Sequence, residues 1–407
     1  MRILDFYELF QIAPAKSQDD VVIVSMARTA MTKAKKGKLR DTATEAMLAA
    51  VLKAVVEESK VDPALIEDVC VGNVLGPGAQ ATCSRMATFL AGIPETTSLS
   101  AVNRQCSSGL QAVMNIANSI RANQIDIGIG GGAENMSQFT FNDAVRPEFI
   151  SDAVYEHEQA RNCLIPMGIT SENVAEKYGL TREEQDAFAA ESQRRACEAQ
   201  KSGLLPSEIT PVKTTIVNED GSTTEVVADA DDGMRDGTTA DKLAKLKPAF
   251  KKGGSTTAGN SSQVMDGAAA VLLARRSVAE RLGLPIKGRV LSYAVAGVPP
   301  DVMGIGPAYA IPAALKKAGL TKDCIDVYEI NEAFASQCLF SAKHLGIDLK
   351  KLNPRGGAIA LGHPLGATGA RQIKTLFSEL ERTGKKYGVV SMCIGTGMGA
   401  AGVFERE

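Results

Sequence analysis

The chain has 407 residues, 44% of them hydrophobic and 23% charged, the make-up of an ordinary folded protein of two or three domains. Forty-five basic residues against 47 acidic ones leave a net charge of -2, which excludes a general attraction to nucleic acid or to an anionic membrane. The longest uncharged stretch, Tyr387 to Phe404, holds five glycines and reads as strand and tight loop, so no membrane span is expected.

In chain order, residues 1–20 read as an extension ending in the polar linker Pro14 to Asp20. Asp5 and Glu8 interrupt its only apolar run, which argues against a secretory signal and for reduced cysteines. Regular structure is expected to start with the buried strand Val21-Val22-Ile23-Val24. From Asp41 to Lys60, Ala46, Leu48, Ala49, Leu52, Val55 and Val56 recur at helical spacing, Pro63 closes the segment, and Asp68 to Asn73 reads as the next strand. Strands alternating with helices predict an α/β fold, a parallel sheet with helices on its faces.

Residues 137–263 differ in composition: a charged helix (Thr181 to Lys201), a polar Asp/Thr-rich stretch (Asn218 to Asp232), and the cluster Lys242, Lys245, Lys247, Lys251 and Lys252. They read as a loop domain inserted over the active edge of the sheet. The chain re-enters the core at Gly267 to Leu273. The second half then repeats the first. Arg289 to Tyr293 begins a strand, Ile311 to Leu320 a helix, and Asp326 to Asn331 a further strand. Asp68-Val69 with Asn73 matches Asp326-Val327 with Asn331, and Cys106 and His363 follow at nearly the same distance. Each is followed by a helix of small residues and a strand ending in glycines, which one duplication explains. The expected boundaries are 1–20, 21–136 with 264–284, the inserted 137–263, and 285–407.

Cys106 precedes the helical run Leu110, Val113, Met114, Ala117 and Ile120, so it sits at a helix N-terminus, where free N–H groups favour a thiolate nucleophile. His363, in Gly362-His363-Pro364-Leu365-Gly366-Ala367-Thr368-Gly369, is held in a rigid turn and suits a general base. Cys393 lies at a strand end beside Gly395-Thr396-Gly397, whose backbone N–H groups could hold an oxyanion. The run Gly397-x-Gly399-x-x-Gly402 imitates a dinucleotide fingerprint, but only five residues follow it, too few for the helix that a pyrophosphate needs. Asn331, in Asn331-Glu332-Ala333-Phe334, could hold a water or an oxyanion. His157 and His344 read as surface residues. With no Cys-x-x-Cys pair and three scattered histidines, no metal site is expected.

Together, Asn103-x-x-Cys106-x-Ser108-Gly109, Asn331-Glu332-Ala333-Phe334, Gly362-His363-Pro364-x-Gly366-x-x-Gly369 and Cys393-x-Gly395-x-Gly397 resemble the signature of the thiolases, over nearly the whole chain from Val21 to Phe404. Cys163 to Thr170 and Gly297 to Pro307 look most like the peroxisomal 3-ketoacyl-CoA branch. The resemblance implies two duplicated βαβαβαββ halves packed as α/β/α/β/α layers, with the loop domain binding CoA. It implies that Cys106 attacks C3 of a 3-ketoacyl-CoA, that Cys393 supplies the proton to the departing acetyl-CoA enolate, and that His363 activates Cys106 and later the incoming CoA thiol. One oxyanion hole would use His363 and a water on Asn331; the other would use the N–H groups of Cys106 and Gly395. Arg235 and Ser262 match CoA-contacting positions, and Met167, Met303 and Phe334 match positions around the thioester. CoA is then a substrate, no separate cofactor is expected, and a homodimer is implied.

The N-terminus lacks the family's peroxisomal address: Arg2-Ile3 is followed by Leu9-Phe10, and the chain ends in Glu405-Arg406-Glu407. Peroxisome therefore rests on the branch resemblance, with cytoplasm as the alternative. The expected reaction is the thiolytic step of fatty-acid β-oxidation. Its alternatives are acetoacetyl-CoA synthesis, a silent acyl-CoA-binding protein, and a Cys-His-Asn hydrolase, which would have no use for Cys393.

Overall fold

The computed structural model describes residues 13–407. The positions where a peroxisomal address was sought, Arg2-Ile3 and Leu9-Phe10, lie outside the described residues. Among the described residues twelve strands run in chain order: β1 (Val21–Arg28), β2 (Thr32–Lys33), β3 (Asp68–Gly72), β4 (Ser98–Val102), β5 (Ile127–Asn135), β6 (Val212–Val217), β7 (Thr223–Ala228), β8 (Met265–Arg275), β9 (Gly288–Gly297), β10 (Val327–Ile330), β11 (Tyr387–Ile394) and β12 (Met398–Arg406). One sheet takes the order β10-β11-β12-β9-β1-β8-β5-β3-β4, with β2 on β8, and β6 and β7 form a separate hairpin.

The first half is β4-β3-β5-β8-β1 and the second β10-β11-β12-β9. They meet where β1 pairs with β9 at only two positions, Val22 with Arg289 and Ile23 with Gly288. In each half the inner strands are parallel (β3 with β4 and β5, β10 with β11) and the closing strand is antiparallel. The second half has no full partner for β4: its third strand is reduced to a single bridge between Tyr328 and Leu352.

Strand alternation sorts the core into layers, because successive side chains point to opposite faces. On β8, Ala268, Ala270, Leu272 and Ala274 face the helix Thr44–Ser59 in one outer cluster. Ala269, Val271 and Leu273 face the other way, into a central cluster built around the helices Ser108–Arg121 and Thr368–Thr383. That central layer also takes Val327, Val390 and Met392 from the second half. Tyr328, Val389 and Val403 point outward onto the helices Gly306–Ala318 and Ala335–Leu345. Each fully buried Val, Leu or Ile contributes about 1.5–3 kcal/mol to holding these layers.

Glycines on one face of β5 bring the central helix close. A Cβ on Gly130 would lie 2.3 Å from Val113 Cα, and one on Gly132 only 1.9 Å from the carbonyl oxygen of Gly366. Gly109 would likewise meet Gly366, and Gly369 the backbone of Leu110. The run Ile127-Gly-Ile-Gly-Gly-Gly is thus an apolar outer face alternating with a bare inner one. It lets the two central helix N-termini, and the residues just before them, come together.

The chain leaves the sheet after β5 (Ile127–Asn135) and re-enters it at β8 (Met265–Arg275). The intervening segment carries the helices Met167–Tyr178 and Arg182–Lys201, the second opened by a capping box between Thr181 and Glu184. The polar Asp/Thr-rich stretch Asn218 to Asp232 contains β7 of the β6–β7 hairpin. Buried ion pairs tie this segment to both halves. Arg28 of β1 bonds Asp231 at 2.8 Å and Glu208 at 3.1 Å, and Arg355 of the second half bonds Glu208 at 2.7 Å. Removing one member of such a buried pair costs about 3–5 kcal/mol, so the segment is locked to the body rather than hung from it. Residues 13–20 are not a loose tail either, since Arg289 donates to the carbonyls of Pro14 and Ala15 and pairs with Asp20.

Candidate active site

Cys106 lies two residues before the helix Ser108–Arg121, on a tight turn rather than inside the first helical turn. The residue before it, Gln105, has φ of 46°, in the left-handed region, where a side chain costs about 1–3 kcal/mol. Two motif residues hold that strain. Asn103 Oδ1 accepts from Gln105 N at 2.9 Å, while Ser108 Oγ donates to Gln105 O at 2.6 Å and accepts from Arg104 N at 2.9 Å. The spacing Asn-x-x-Cys-x-Ser is thus a turn that aims the thiol.

The backbone N–H groups of Gly395 and of Cys106 itself lie close enough to the Cys106 sulfur to favour its ionised form. Gly395 opens the three-residue turn between β11 and β12, where Thr396 and Gly397 have φ of 69° and 94°. A Cβ on Gly395 would rest in ordinary contact with Met167 Sδ at 3.7 Å and with the Gln105 side chain. Cys393, two residues earlier on β11, is fully buried in a cluster with Met303, Ala333 and Phe334, against which Met167 packs. Cys106 is close enough to Cys393 to raise its cost of ionisation.

His363 follows Gly362, whose φ of 86° and ψ of 173° only glycine adopts readily, and whose Cβ would collide with Met265. Its backbone N–H bonds the Gln263 carbonyl at 2.9 Å. The ring is held at both ends: Nδ1 is 2.6 Å from Thr368 Oγ1, and Nε2 is 3.3 Å from Asn331 Nδ2. Asn331 Oδ1 is buried and meets no donor from the protein. Its counterpart in the repeat, Asn73, is fully engaged, donating to Ala133 O and Glu134 and accepting from Gly76 N. One repeat asparagine is structural; the other has an acceptor to spare.

Glu134, at the end of β5, was missed by sequence reasoning. It accepts from the backbone N–H groups of Val74, Leu75 and Gly366 and from Asn73, with Gly366 at 2.8 Å. It therefore clamps a first-half loop to the turn that carries His363. Burial lifts its pKa to about 7. A carboxylate closing an otherwise glycine-rich apolar strand is the signal that was available.

The ionisation states overturn one expectation. A helix N-terminus was expected to favour the Cys106 thiolate, yet burial pushes its pKa up to about 11, and the Glu134 charge adds to that. Cys393 is raised as well, again by burial, with Cys106 adding to it. Burial, then the nearby Arg371 charge, lowers His363 to about 3, so the imidazole is neutral at pH 7. The free site holds two thiols and a neutral base. Transferring the proton from Cys106 to His363 as separated charges would cost on the order of 10 kcal/mol, so ionisation must be coupled to attack on a substrate.

Of the remaining predicted residues, Ser262 donates its N–H to Ala333 O at 2.9 Å, next to Phe334, whose ring meets Phe250 edge-on at 6.2 Å. Arg235 lies apart from the two thiols, lining a cavity of about 200 Å³ with Thr238, Lys242, Leu246 and Gly259. His157 and His344 are exposed. Among the described residues there is no His/Cys/Asp/Glu group placed to hold a metal. No helix is long and apolar enough to cross a membrane, again among the described residues.

Two neighbouring thiols, one from each half of a duplicated fold, in a chain that also buries an imidazole held at both ring nitrogens, define a class. The chain belongs to the thiolase family: the thiolase N-terminal domain matches residues 21–277 and the thiolase C-terminal domain residues 284–406. It is 61% identical over 393 residues to 3-ketoacyl-CoA thiolase B, peroxisomal, of Rattus norvegicus, covering 96% of this chain and 92% of that one. The dimeric peroxisomal thiolase of Saccharomyces cerevisiae superposes with a TM-score of 0.89 at 50% identity, covering 97% of this chain and 99% of that one. Human mitochondrial 3-ketoacyl-CoA thiolase in complex with CoA gives 0.83 at 36% identity, covering 96% and 98%.

Proposed function

We propose that this enzyme is a 3-ketoacyl-CoA thiolase, an acyltransferase that performs the CoA-dependent last step of fatty-acid β-oxidation in peroxisomes. The observation that carries the reading is the pair of adjacent thiols, Cys106 and Cys393, contributed by opposite halves. A hydrolase needs one nucleophile; a carbon–carbon cleavage needs a nucleophile and a separate acid for the carbanion.

In this reading the Cys106 sulfur attacks C3 as its proton passes to Nε2 of His363. The N–H groups of Cys106 and Gly395 receive the oxyanion. The C2–C3 bond then breaks, leaving an acyl group on Cys106. The thioester enolate is held by a water on Asn331 Oδ1, a buried acceptor that a donor should fill. Cys393 delivers its proton to C2, and acetyl-CoA leaves. Incoming CoA gives its thiol proton back to Cys393, and its sulfur attacks the acyl-enzyme beside the imidazolium. Collapse returns the proton from His363 to Cys106, so the site is restored and the atoms balance.

Met167, Met303 and Phe334 line the apolar approach to Cys393. The cavity at Arg235 and Lys242 suits the nucleotide end of CoA, whose phosphates need fixed cations. CoA is a substrate here, and no other cofactor enters the scheme. A homodimer is part of the reading: β4 is an edge strand with one unpaired side, and the helix Ala81–Leu90 beside it exposes Met86, Phe89 and Leu90.

The test is loss of 3-oxo-octanoyl-CoA with and without free CoA, beside acetoacetyl-CoA and a Cys106→Ala control. CoA-dependent cleavage favouring the longer chain supports the reading. Turnover of acetoacetyl-CoA alone would replace it with the biosynthetic reaction, and loss without CoA with hydrolysis. No loss at all would leave an acyl-CoA-binding protein.

A further inference from the structure

A base that takes the Cys106 proton must present an unprotonated ring nitrogen, and a neutral imidazole offers one only if its other nitrogen holds the hydrogen. The surroundings of His363 bear on which. Thr368 is fully buried at the first turn of the helix Thr368–Thr383. Its hydroxyl lies 3.0 Å from the Pro364 carbonyl one turn back and donates to it, as helical threonines commonly do. A hydroxyl has one hydrogen. Once that hydrogen is on Pro364, Oγ1 can only accept, and the group facing it at 2.6 Å is Nδ1 of His363. At the far side of the ring, Asn331 directs its Nδ2 donor at Nε2 from 3.3 Å, which suits a lone pair.

We infer that Thr368 is a positioning residue that fixes the tautomer of His363, holding the ring hydrogen on Nδ1 and leaving Nε2 as the base facing the site. It touches neither substrate nor the reacting atoms. The hydroxyl also keeps its acceptor lone pair on Nδ1–H when the ring takes up the Cys106 proton at Nε2, so it supports the imidazolium without moving. The inference rests on the base role proposed above for His363. The opposite arrangement is chemically complete: Thr368 could donate to Nδ1, and Nε2–H could donate to an Asn331 amide turned by 180°. In that arrangement Nε2 could accept no proton, so the two tautomers differ in function and not only in bonding.

The experiment reads the ring directly. The chain has three histidines, so imidazole ¹⁵N labelling of the whole enzyme gives three signal sets, and a His363→Asn variant identifies one of them. At pH 7 the expected spectrum has Nδ1 protonated and Nε2 bare. Kinetics run alongside: Thr368→Val, which keeps the shape and removes the acceptor, should lower kcat roughly 10–100-fold with KM unchanged, and Thr368→Ser should restore it to within about 3-fold of the parent. An Nε2–H signal in the parent enzyme overturns the inference, as does a Thr368→Val enzyme with parental kcat, or equal losses for Val and Ser. Should the parent fail to cleave any 3-ketoacyl-CoA, the functional reading falls, while the ¹⁵N spectrum still decides the tautomer.

Discussion

Gly132 offers a direct test of how the two halves build the site. Its missing side chain is where β5 of the first half touches the turn His363-Pro364-Leu365-Gly366 of the second. In Gly132→Ala the new Cβ would lie 1.9 Å from Gly366 O and 2.7 Å from Gly366 C, and both are backbone atoms. An ordinary carbon–oxygen contact is about 3.4 Å or more, so the turn must retreat by roughly 1.5 Å. A 1 Å displacement of a reacting group can cost about 100-fold in rate, and overpacking costs about 1–3 kcal/mol in stability. Gly128→Ala is the matched control. It lies on the same strand face, but its Cβ meets the side-chain Cγ2 of Ile116 at 2.8 Å, on the far part of the central helix. We expect both variants to lose a few degrees in melting temperature, and Gly132→Ala alone to lose about 100-fold in kcat. The assay is steady-state thiolysis of 3-oxo-octanoyl-CoA with thermal melts on the same samples. A Gly132→Ala enzyme with kcat within 2-fold of the parent would refute the argument that this contact places His363.

Iodoacetamide should alkylate Cys106 slowly at pH 7 and progressively faster above pH 9, because burial keeps the thiol protonated; a rate plateau reached by pH 7 would mean a low-pKa thiolate instead. Cys393→Ala should suppress α-proton exchange of acetyl-CoA far more than acylation of Cys106, and equal suppression would remove its separate acid role. His363, with its pKa lowered from 6.5 to about 3, contributes stability that is present above pH 6.5 and lost as the pH falls toward 3. The group itself accounts for up to about 2 kcal/mol of loss at pH 5, so the parent's melting temperature should drop more between pH 7 and 5 than that of His363→Asn. Parallel drops would show that the histidine does not carry the effect.

Much of this site is legible because its motifs encode backbone geometry. Gly362, Gly366 and Gly369 mark positions where a Cβ does not fit, and Asn103 and Ser108 hold a strained turn. Such constraints are local and leave a local trace. Glu134 leaves only its place at the end of a glycine-rich strand, because three of its four donors lie 59–61 residues upstream and the fourth in a turn 232 residues downstream. The thiol's protonation escaped for the same reason: spacing reveals the helix start but not the depth of burial. The strand β7 was hidden by its threonines and glutamate, since a two-stranded ribbon exposed on most of one side needs no apolar run. Pro312 sits inside the helix Gly306–Ala318, which begins five residues before the sequence places it.

The strand order has a consequence for how the chain is made. β1 lies between β8 and β9, and neither exists until roughly 240 residues after β1 has left the ribosome. At about 5–20 residues per second that is a wait of roughly 12–50 s. During it, Val21-Val22-Ile23-Val24 has both hydrogen-bonding edges open. The completed enzyme hides this segment at the seam of its two halves, while the nascent one carries it as an adhesive ribbon. Synthesis of this fold therefore exposes its stickiest segment first and shields it last, which makes β1 the natural handle for a chaperone and the first suspect when the protein aggregates.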